Sequence, residues 1–231
     1  MTTRIALSHV LTLSIAPSVE AFRTLWPEAE CVNLLDDSLA IDRQRAGALT
    51  PAIATRIAAL ASHARACGAQ GILYTCSAFG AAIEAVACLS AIPVLKPNEA
   101  MFTEALSLGK RIGMLATFEP SVASMETEFR TEADGIGATI TTLFVPEAMA
   151  ALQRGDALAH DALLAEAAQR PEVQEFDALM LAQFSMARAR DAVRAVAPCP
   201  VLTSPHSAVL RIKARVAGTG SGAIAAGARR G

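Results

Sequence analysis

A cysteine between two hydroxyl-bearing residues, at the end of an apolar run, is the strongest chemical signal in this sequence. Thr75-Cys76-Ser77-Ala78 follows Gly71-Ile72-Leu73-Tyr74, a stretch apolar enough for a buried strand. The thiol is therefore expected where a strand gives way to a helix. There the positive end of the helix dipole favours thiolate over thiol, and a thiolate serves as nucleophile or base. The hydroxyls of Thr75 and Ser77, with backbone N–H groups of the same turn, suit a carboxylate or an enolate-like charge. The plainer alternative is that Cys76 fills space at a strand end as a small apolar residue.

The same strand-then-loop unit returns in the second half without its cysteine. Gln70-Gly71-Ile72-Leu73-Tyr74-Thr75-Cys76 lies over Asp177-Ala178-Leu179-Met180-Leu181-Ala182-Gln183 at an offset of 107 positions (183 − 76). Arg4-Ile5-Ala6-Leu7 falls on Arg111-Ile112-Gly113-Met114, and Pro93-Val94-Leu95 on Pro200-Val201-Leu202, in the same register. One register at three places indicates an internally duplicated chain. A duplicated α/β unit is expected to set its equivalent loops facing each other, which puts Gln183 across a cleft from Cys76. A glutamine amide does not titrate in the working range and only donates or accepts hydrogen bonds.

In open parallel sheets ligands bind beyond the carboxyl ends of the strands. That rule adds Ser8-His9, Thr117-Phe118 and Ser185 to the candidate binding residues, and the crossover turns add Asn98, Glu99 and His206. Among the titratable groups His206, Glu99 and His9, His206 has the intrinsic pKa best suited to acid–base work. Each also has an ordinary reading: His9 as a satisfied strand-end histidine, Glu99 as a helix-start acid, His206 as a helix cap. Lys96 is read either as a contact for a second carboxylate or as a solvated turn residue, and Asp36 and Asp37 after the second strand are equally open. His63 and His160 sit in alanine-rich helical stretches without a carboxylate cluster, as surface or packing residues, and no metal site is expected. Cys31, Cys67, Cys88 and Cys199 are read as small buried apolar residues, and the five cysteines show no metal spacing and no disulfide framework.

These residues need a scaffold that brings strand ends together. Short apolar runs alternate with alanine-rich helical patterns, which predicts α/β architecture with parallel sheets and crossover helices. Strands are expected near 4–10, 30–35, 70–75, 92–96, 111–116, 138–144, 177–182 and 200–203, four to each of two pseudo-symmetric lobes. Thr50-Pro51, a cap followed by proline, opens a helix over 51–67 carrying Ile53, Ile57, Leu60 and Ala64 at helical spacing. Pro17-Ser18-Val19 and Pro120-Ser121-Val122 each follow a lobe's first strand, at an offset of 103 (120 − 17), so these loops have diverged in length. The chain is expected to cross between lobes at Lys96-Pro97-Asn98-Glu99 and at Thr203-Ser204-Pro205-His206. The lobes then comprise 1–97 with 206–231, and 98–205. A last helix over 207–216, with Val209, Leu210, Ile212 and Val216 on one face, returns to the first lobe. The Ala/Gly-rich stretch from Ala217 to Gly231 is read as a poorly ordered tail, since its glycines follow no strand of a nucleotide-binding unit.

Composition narrows the partners. The 231 residues are 53% hydrophobic, enough for a sizeable core in one domain or two lobes. No apolar stretch is long enough for a membrane span and no secretory leader is recognisable, so a cytoplasmic protein is expected. A net charge of −2 with interspersed signs, one Trp and one Tyr offer nucleic acid neither a basic stripe nor a stacking platform. The expected partner is a small carboxylate or amino-acid-derived substrate; assembly into a homo-oligomer stays open.

The run Ile72-Leu73-Tyr74-Thr75-Cys76-Ser77-Ala78 and the duplicated four-stranded lobes resemble the aspartate/glutamate/hydantoin racemase superfamily, which also includes arylmalonate decarboxylase and maleate isomerase. The resemblance covers the chain up to the tail. It implies two cysteines, one per lobe, exchanging a proton with the substrate's stereocentre without metal or coenzyme. Cys76 matches the first, and Gln183 stands where the second is expected. The resemblance thus implies a racemase-type isomerase with Cys76 as catalytic thiol, Gln183 orienting the substrate and His206 as a candidate second acid–base. Decarboxylation or cis–trans isomerisation from one face by Cys76 remains open, as does a small-carboxylate-binding protein without turnover.

Overall fold

The computed structural model describes residues 2–227, without the side chains of Pro120 and 219–227. The strands are β1 Arg4–His9, β2 Glu30–Leu35, β3 Gly71–Tyr74, β4 Val94–Leu95, β5 Arg111–Ala116, β6 Thr139–Phe144, β7 Ala178–Leu181 and β8 Val201–Thr203. The helices are α1 Ile15–Leu25, α2 Ser38–Ala46, α3 Pro51–Ala66, α4 Gly80–Leu89, α5 Glu99–Leu108, α6 Glu119–Glu132, α7 Pro146–Gln153, α8 Ala157–Ala167, α9 Arg190–Arg194 and α10 Ser204–Gly227. They flank two four-stranded sheets, ordered β2-β1-β3-β4 and β6-β5-β7-β8, in which every pairing is parallel. All eight strands lie where the apolar runs placed them.

The duplication is visible in the register. Ile5 pairs with Gly71 and Ile112 with Ala178, while Ile72 pairs with Val94 and Leu179 with Val201. Each member of one pair is 107 positions from its counterpart (112 − 5, 178 − 71). The edge strands depart from this offset, because Arg4 pairs with Glu30 but Arg111 with Thr139, a spacing of 109 (139 − 30).

The chain divides into two compact units, Met1–Pro97 with Ala208–Gly231, and Asn98–Ser207. In the first, β1 and β3 are covered on both faces. Ile57 and Ile83 pack beneath Ala6, Ile72 and Tyr74, and Phe22, Trp26, Val209 and Ile212 pack against Ile5, Leu7 and Leu73. Burial on both faces explains why the strands read as continuous apolar runs. The second unit has a single core, built on Ile112, Met114, Leu179 and Leu181 with Phe102 edge-on to Phe129. Helix α3 begins as expected: the Thr50 hydroxyl accepts from the Ile53 N–H at 3.3 Å, and Pro51 occupies the first turn.

Two expectations at the carboxyl end need correction. Helix α10 starts at Ser204 and its backbone is helical through Gly227, so the alanine-rich stretch to that point is helix; 228–231 lie outside the described residues. Leu210 is 51% exposed. Val209, Ile212 and Val216 follow the helical i, i+3, i+7 spacing that faces the core, and Leu210, one residue beyond Val209, is turned about 100° out of that stripe.

Candidate active site

At the carboxyl end of the first sheet, β3 delivers Thr75 and then Cys76 into a short 3-10 turn, Ser77–Phe79, that leads into α4. Cys76 is half-buried and packs against the core of its unit. Burial pushes its thiol up from the ordinary value, and a backbone hydrogen bond at Ala78 only partly opposes this. The expectation of a dipole-lowered thiol is thus overturned, because the cost of desolvating the thiolate outweighs the field of one turn. The resting group is a neutral S–H.

Thr75 is buried and turned inward. His9, fully buried, places Nδ1 at 2.9 Å from Thr75 Oγ1 and Nε2 at 3.0 Å from Asn33 Oδ1. An amide oxygen only accepts, so Nε2 carries the proton and Nδ1 accepts from the Thr75 hydroxyl. Burial lowers the His9 pKa, which keeps the ring neutral in this network. Ser14 completes it, 3.1 Å from Thr75 Oγ1 and donating to the Leu11 carbonyl at 2.7 Å. His9 and Thr75 therefore hold the loop together, in line with the ordinary reading of His9. Ser8, beside them, is buried and its Oγ has no hydrogen-bond partner among the described residues. Ser77 is half-buried at the start of the turn that follows Cys76.

The second unit builds its strand end differently. Gln183, between β7 and a 3-10 turn over Phe184–Ala189, accepts from the Thr117 backbone N–H at 3.0 Å and from the Thr117 hydroxyl at 3.1 Å. Its Nε2 donates to Ser121 Oγ at 3.0 Å. Both lone pairs of the amide oxygen are used and one N–H remains. Ser14 and Ser121, 107 positions apart (121 − 14), each tie down the first loop of their unit, Ser14 by donating to the Leu11 carbonyl and Ser121 by accepting from Gln183. Thr117 is buried, Ser185 is half-buried in the turn after Gln183, and Phe118 stands 48% exposed at the start of α6.

The crossover candidates belong to this second unit. Ser204 Oγ donates to the buried Asn98 side-chain oxygen at 2.9 Å, which joins the starts of α10 and α5. His206, half-buried in the first turn of α10, has Nδ1 2.8 Å from Thr203 Oγ1. Glu99 is half-buried in the first turn of α5. Lys96, in the first unit, reaches Glu84 at 2.7 Å, while Asp36 takes a bidentate grip on Arg56 that lowers its pKa although burial opposes it.

His160 is fully buried with Nδ1 2.7 Å from Asp161, and Arg188 from the turn after Gln183 grips the same carboxylate at 2.9 Å. The sequence reading missed Ser14, Asn33 and Ser121. Asn33, a polar residue inside Cys31-Val32-Asn33-Leu34-Leu35, was the one visible signal. Among the described residues no three His, Cys, Asp or Glu side chains group as metal ligands, and no helix is long and apolar enough to cross a membrane.

The fold has solved relatives. An allantoin racemase from Klebsiella pneumoniae matches with a TM-score of 0.72 and 17% identity over 93% of this chain and 88% of its own. A glutamate racemase from Bacillus anthracis matches with a TM-score of 0.70 and 13% identity over 94% and 83%. A double mutant of arylmalonate decarboxylase in its liganded form matches with a TM-score of 0.66 and 17% identity over 94% of each chain. No curated protein sequence matches. The sequence profile of the Asp/Glu/hydantoin racemases matches residues 11–143, more than half of the chain. By that match and the two-sheet fold that goes with it, the chain belongs to the Asp/Glu/hydantoin racemase family.

Proposed function

We propose that this protein is a cofactor-independent enzyme that works on a small carboxylate or amino-acid-derived substrate through one thiol, Cys76, at the carboxyl end of the first sheet. The observation that carries the reading is an asymmetry: a neutral thiol follows β3, and an amide bound to Thr117 and Ser121 follows β7. Racemisation needs an acid and a base on opposite faces of the carbon, and an amide is neither. One-faced chemistry needs only the thiol.

In decarboxylation the bond from carbon to one carboxylate breaks, CO2 leaves, and the electron pair is held as an ene-diolate on the remaining carboxyl. The Cys76 S–H then delivers its proton to that carbon, and the thiolate regains one from water. A thiol whose burial keeps it protonated is the form this step uses. Backbone N–H groups of the turn after Cys76 and the Ser77 hydroxyl bind the carboxylate, with Thr75 holding that loop in place; in the second unit the remaining N–H of Gln183 and the Ser185 hydroxyl are the proposed orienting groups, with Thr117 holding their loop. The same thiol, once ionised, supports cis–trans isomerisation: sulfur adds to the alkene, the carbanion rotates about the new single bond, and the C–S bond breaks.

The test is NMR in deuterated water over substituted malonates, maleate, hydantoins and free amino acids. Loss of CO2 with one deuteron incorporated, or maleate converted to fumarate, supports the reading. Efficient two-way racemisation of aspartate or glutamate overturns it and directs the search for a second base to His206 and Glu99. Binding of a carboxylate without turnover identifies a binding protein.

A further inference from the structure

The structure contains a second thiol with a base beside it, before β3 where Cys76 follows it, and independent of the function above. We propose that Cys67 and His63 form a reactive-thiol site, open to modification by small disulfides and other soft electrophiles. Helix α3 ends at Ala66 with Cys67 as its cap, and four-residue spacing puts His63 on the same face one turn earlier. Cys67 Sγ lies 3.4 Å from His63 Nε2. Arg4 Nη1 donates to the Cys67 carbonyl at 2.5 Å, which brings a guanidinium next to the thiol, and Arg4 is itself paired with Glu30 at 2.8 Å. Cys67 is half-buried and His63 is exposed, so a reagent reaches the sulfur from solvent.

The other cysteines lack one part of this arrangement. Burial pushes Cys31 up to about 11 and raises Cys199, and Cys76 is raised by the same cause. Cys88 is the most open of the five, but no hydrogen bond joins its sulfur to a base among the described residues. A thiol reacts as thiolate, so a base that takes the proton during attack matters more than exposure. In exchange with a small disulfide, His63 Nε2 receives the S–H proton as the Cys67 sulfur bonds to one sulfur of the reagent. The reagent's S–S bond breaks, and the departing thiolate takes the proton from the imidazolium. With iodoacetamide the S–C bond forms, iodide leaves, and His63 passes the proton to water.

The full chain is treated with limiting iodoacetamide, and in parallel with oxidised glutathione, and the modified cysteine is located by peptide mass spectrometry. Cys67 is expected to react before the more exposed Cys88, and oxidised glutathione to form its mixed disulfide there. His63→Ala should slow Cys67 by about tenfold while leaving Cys88 unchanged as internal standard. Reaction of Cys88 or Cys76 ahead of Cys67 in the wild type overturns the proposal, as does an unchanged Cys67 rate in His63→Ala. The wild-type ranking decides the question even if the variant fails to fold.

Discussion

The two sheets share one plan and finish it with different chemistry. Their central strands pair in the same register, yet the first unit closes its strand end around a buried neutral histidine, His9, and leaves a thiol at the loop. The second closes around an amide, Gln183, that makes three hydrogen bonds with its own loops. Their interiors differ in a matched way. Ala6 and Ala69 of the first unit correspond to Gly113 and Phe176 of the second, and a Cβ at Gly113 would lie 2.1 Å from the Phe176 ring. A large side chain on one position is accommodated by the loss of a small one on the neighbouring strand, because a close-packed core conserves volume rather than residue identity. The framework of a duplicated chain can thus stay fixed while each copy's strand end becomes a different device.

The largest effect should separate the two strand ends by activity. Cys76→Ala is expected to lower turnover by about a thousandfold or more while the fold is kept, since the residue lies in a loop. Gln183→Ala should cost about tenfold, an orienting hydrogen bond being worth less than the reacting group. Equal losses in the two variants, measured on whichever substrate the NMR panel identifies, would remove the functional asymmetry.

Packing offers the next test. Gly113→Ala forces its methyl group into Phe176 and should destabilise the protein by about 1–3 kcal/mol in a urea titration. Phe176→Ala in the same chain should recover part of that loss, and the double-mutant cycle reads the coupling directly. At Gly71, the first unit's tightest glycine, the nearest atoms are the flexible ends of Ile212 and Ile5 at 3.0 and 3.2 Å, so Gly71→Ala should cost less than Gly113→Ala.

Gln183→Cys sharpens the comparison from the other side. It supplies the titratable group that the second strand end lacks, and α-deuteration of both enantiomers of an amino acid would reveal new racemisation. The Thr117 N–H loses its acceptor, at a stability cost of about 1–3 kcal/mol. A variant that folds but gains no exchange would show that a thiol at this place also needs the surroundings that Cys76 has.

The smallest effect lies in the His9 network. The folded pKa is lowered, so between it and the unfolded value the unfolded chain binds more protons and stability rises with pH. The stability that His9 contributes is complete above about pH 6.5 and declines as pH falls from there towards the lowered folded pKa, where the slope ends. Thermal melts at about pH 7.5 and 5.5 should differ less in His9→Gln than in the wild type. An unchanged difference would mean that other groups carry the acid sensitivity.

The amino-acid sequence alone determined the framework. Strands buried on both faces must read as apolar runs, caps such as Thr50-Pro51 are local, and a duplication leaves its register in residue spacing. The eight strands, their parallel pairing and the start of α3 were therefore all legible. The His63–Cys67 pair was not: His63 read as a surface or packing residue and Cys67 as a small buried one, and the distance of 3.4 Å is what makes them a pair. What only the tertiary structure decided depends on groups distant in the chain. Gln183 finds Thr117 and Ser121 across 66 and 62 residues, and His9 finds Thr75 across 66. The state of Cys76 is the clearest case. Its sequence neighbours supply a helix-end field that favours the thiolate, but the packing of the first unit removes the water a thiolate needs, and the cost of that desolvation keeps the proton on sulfur.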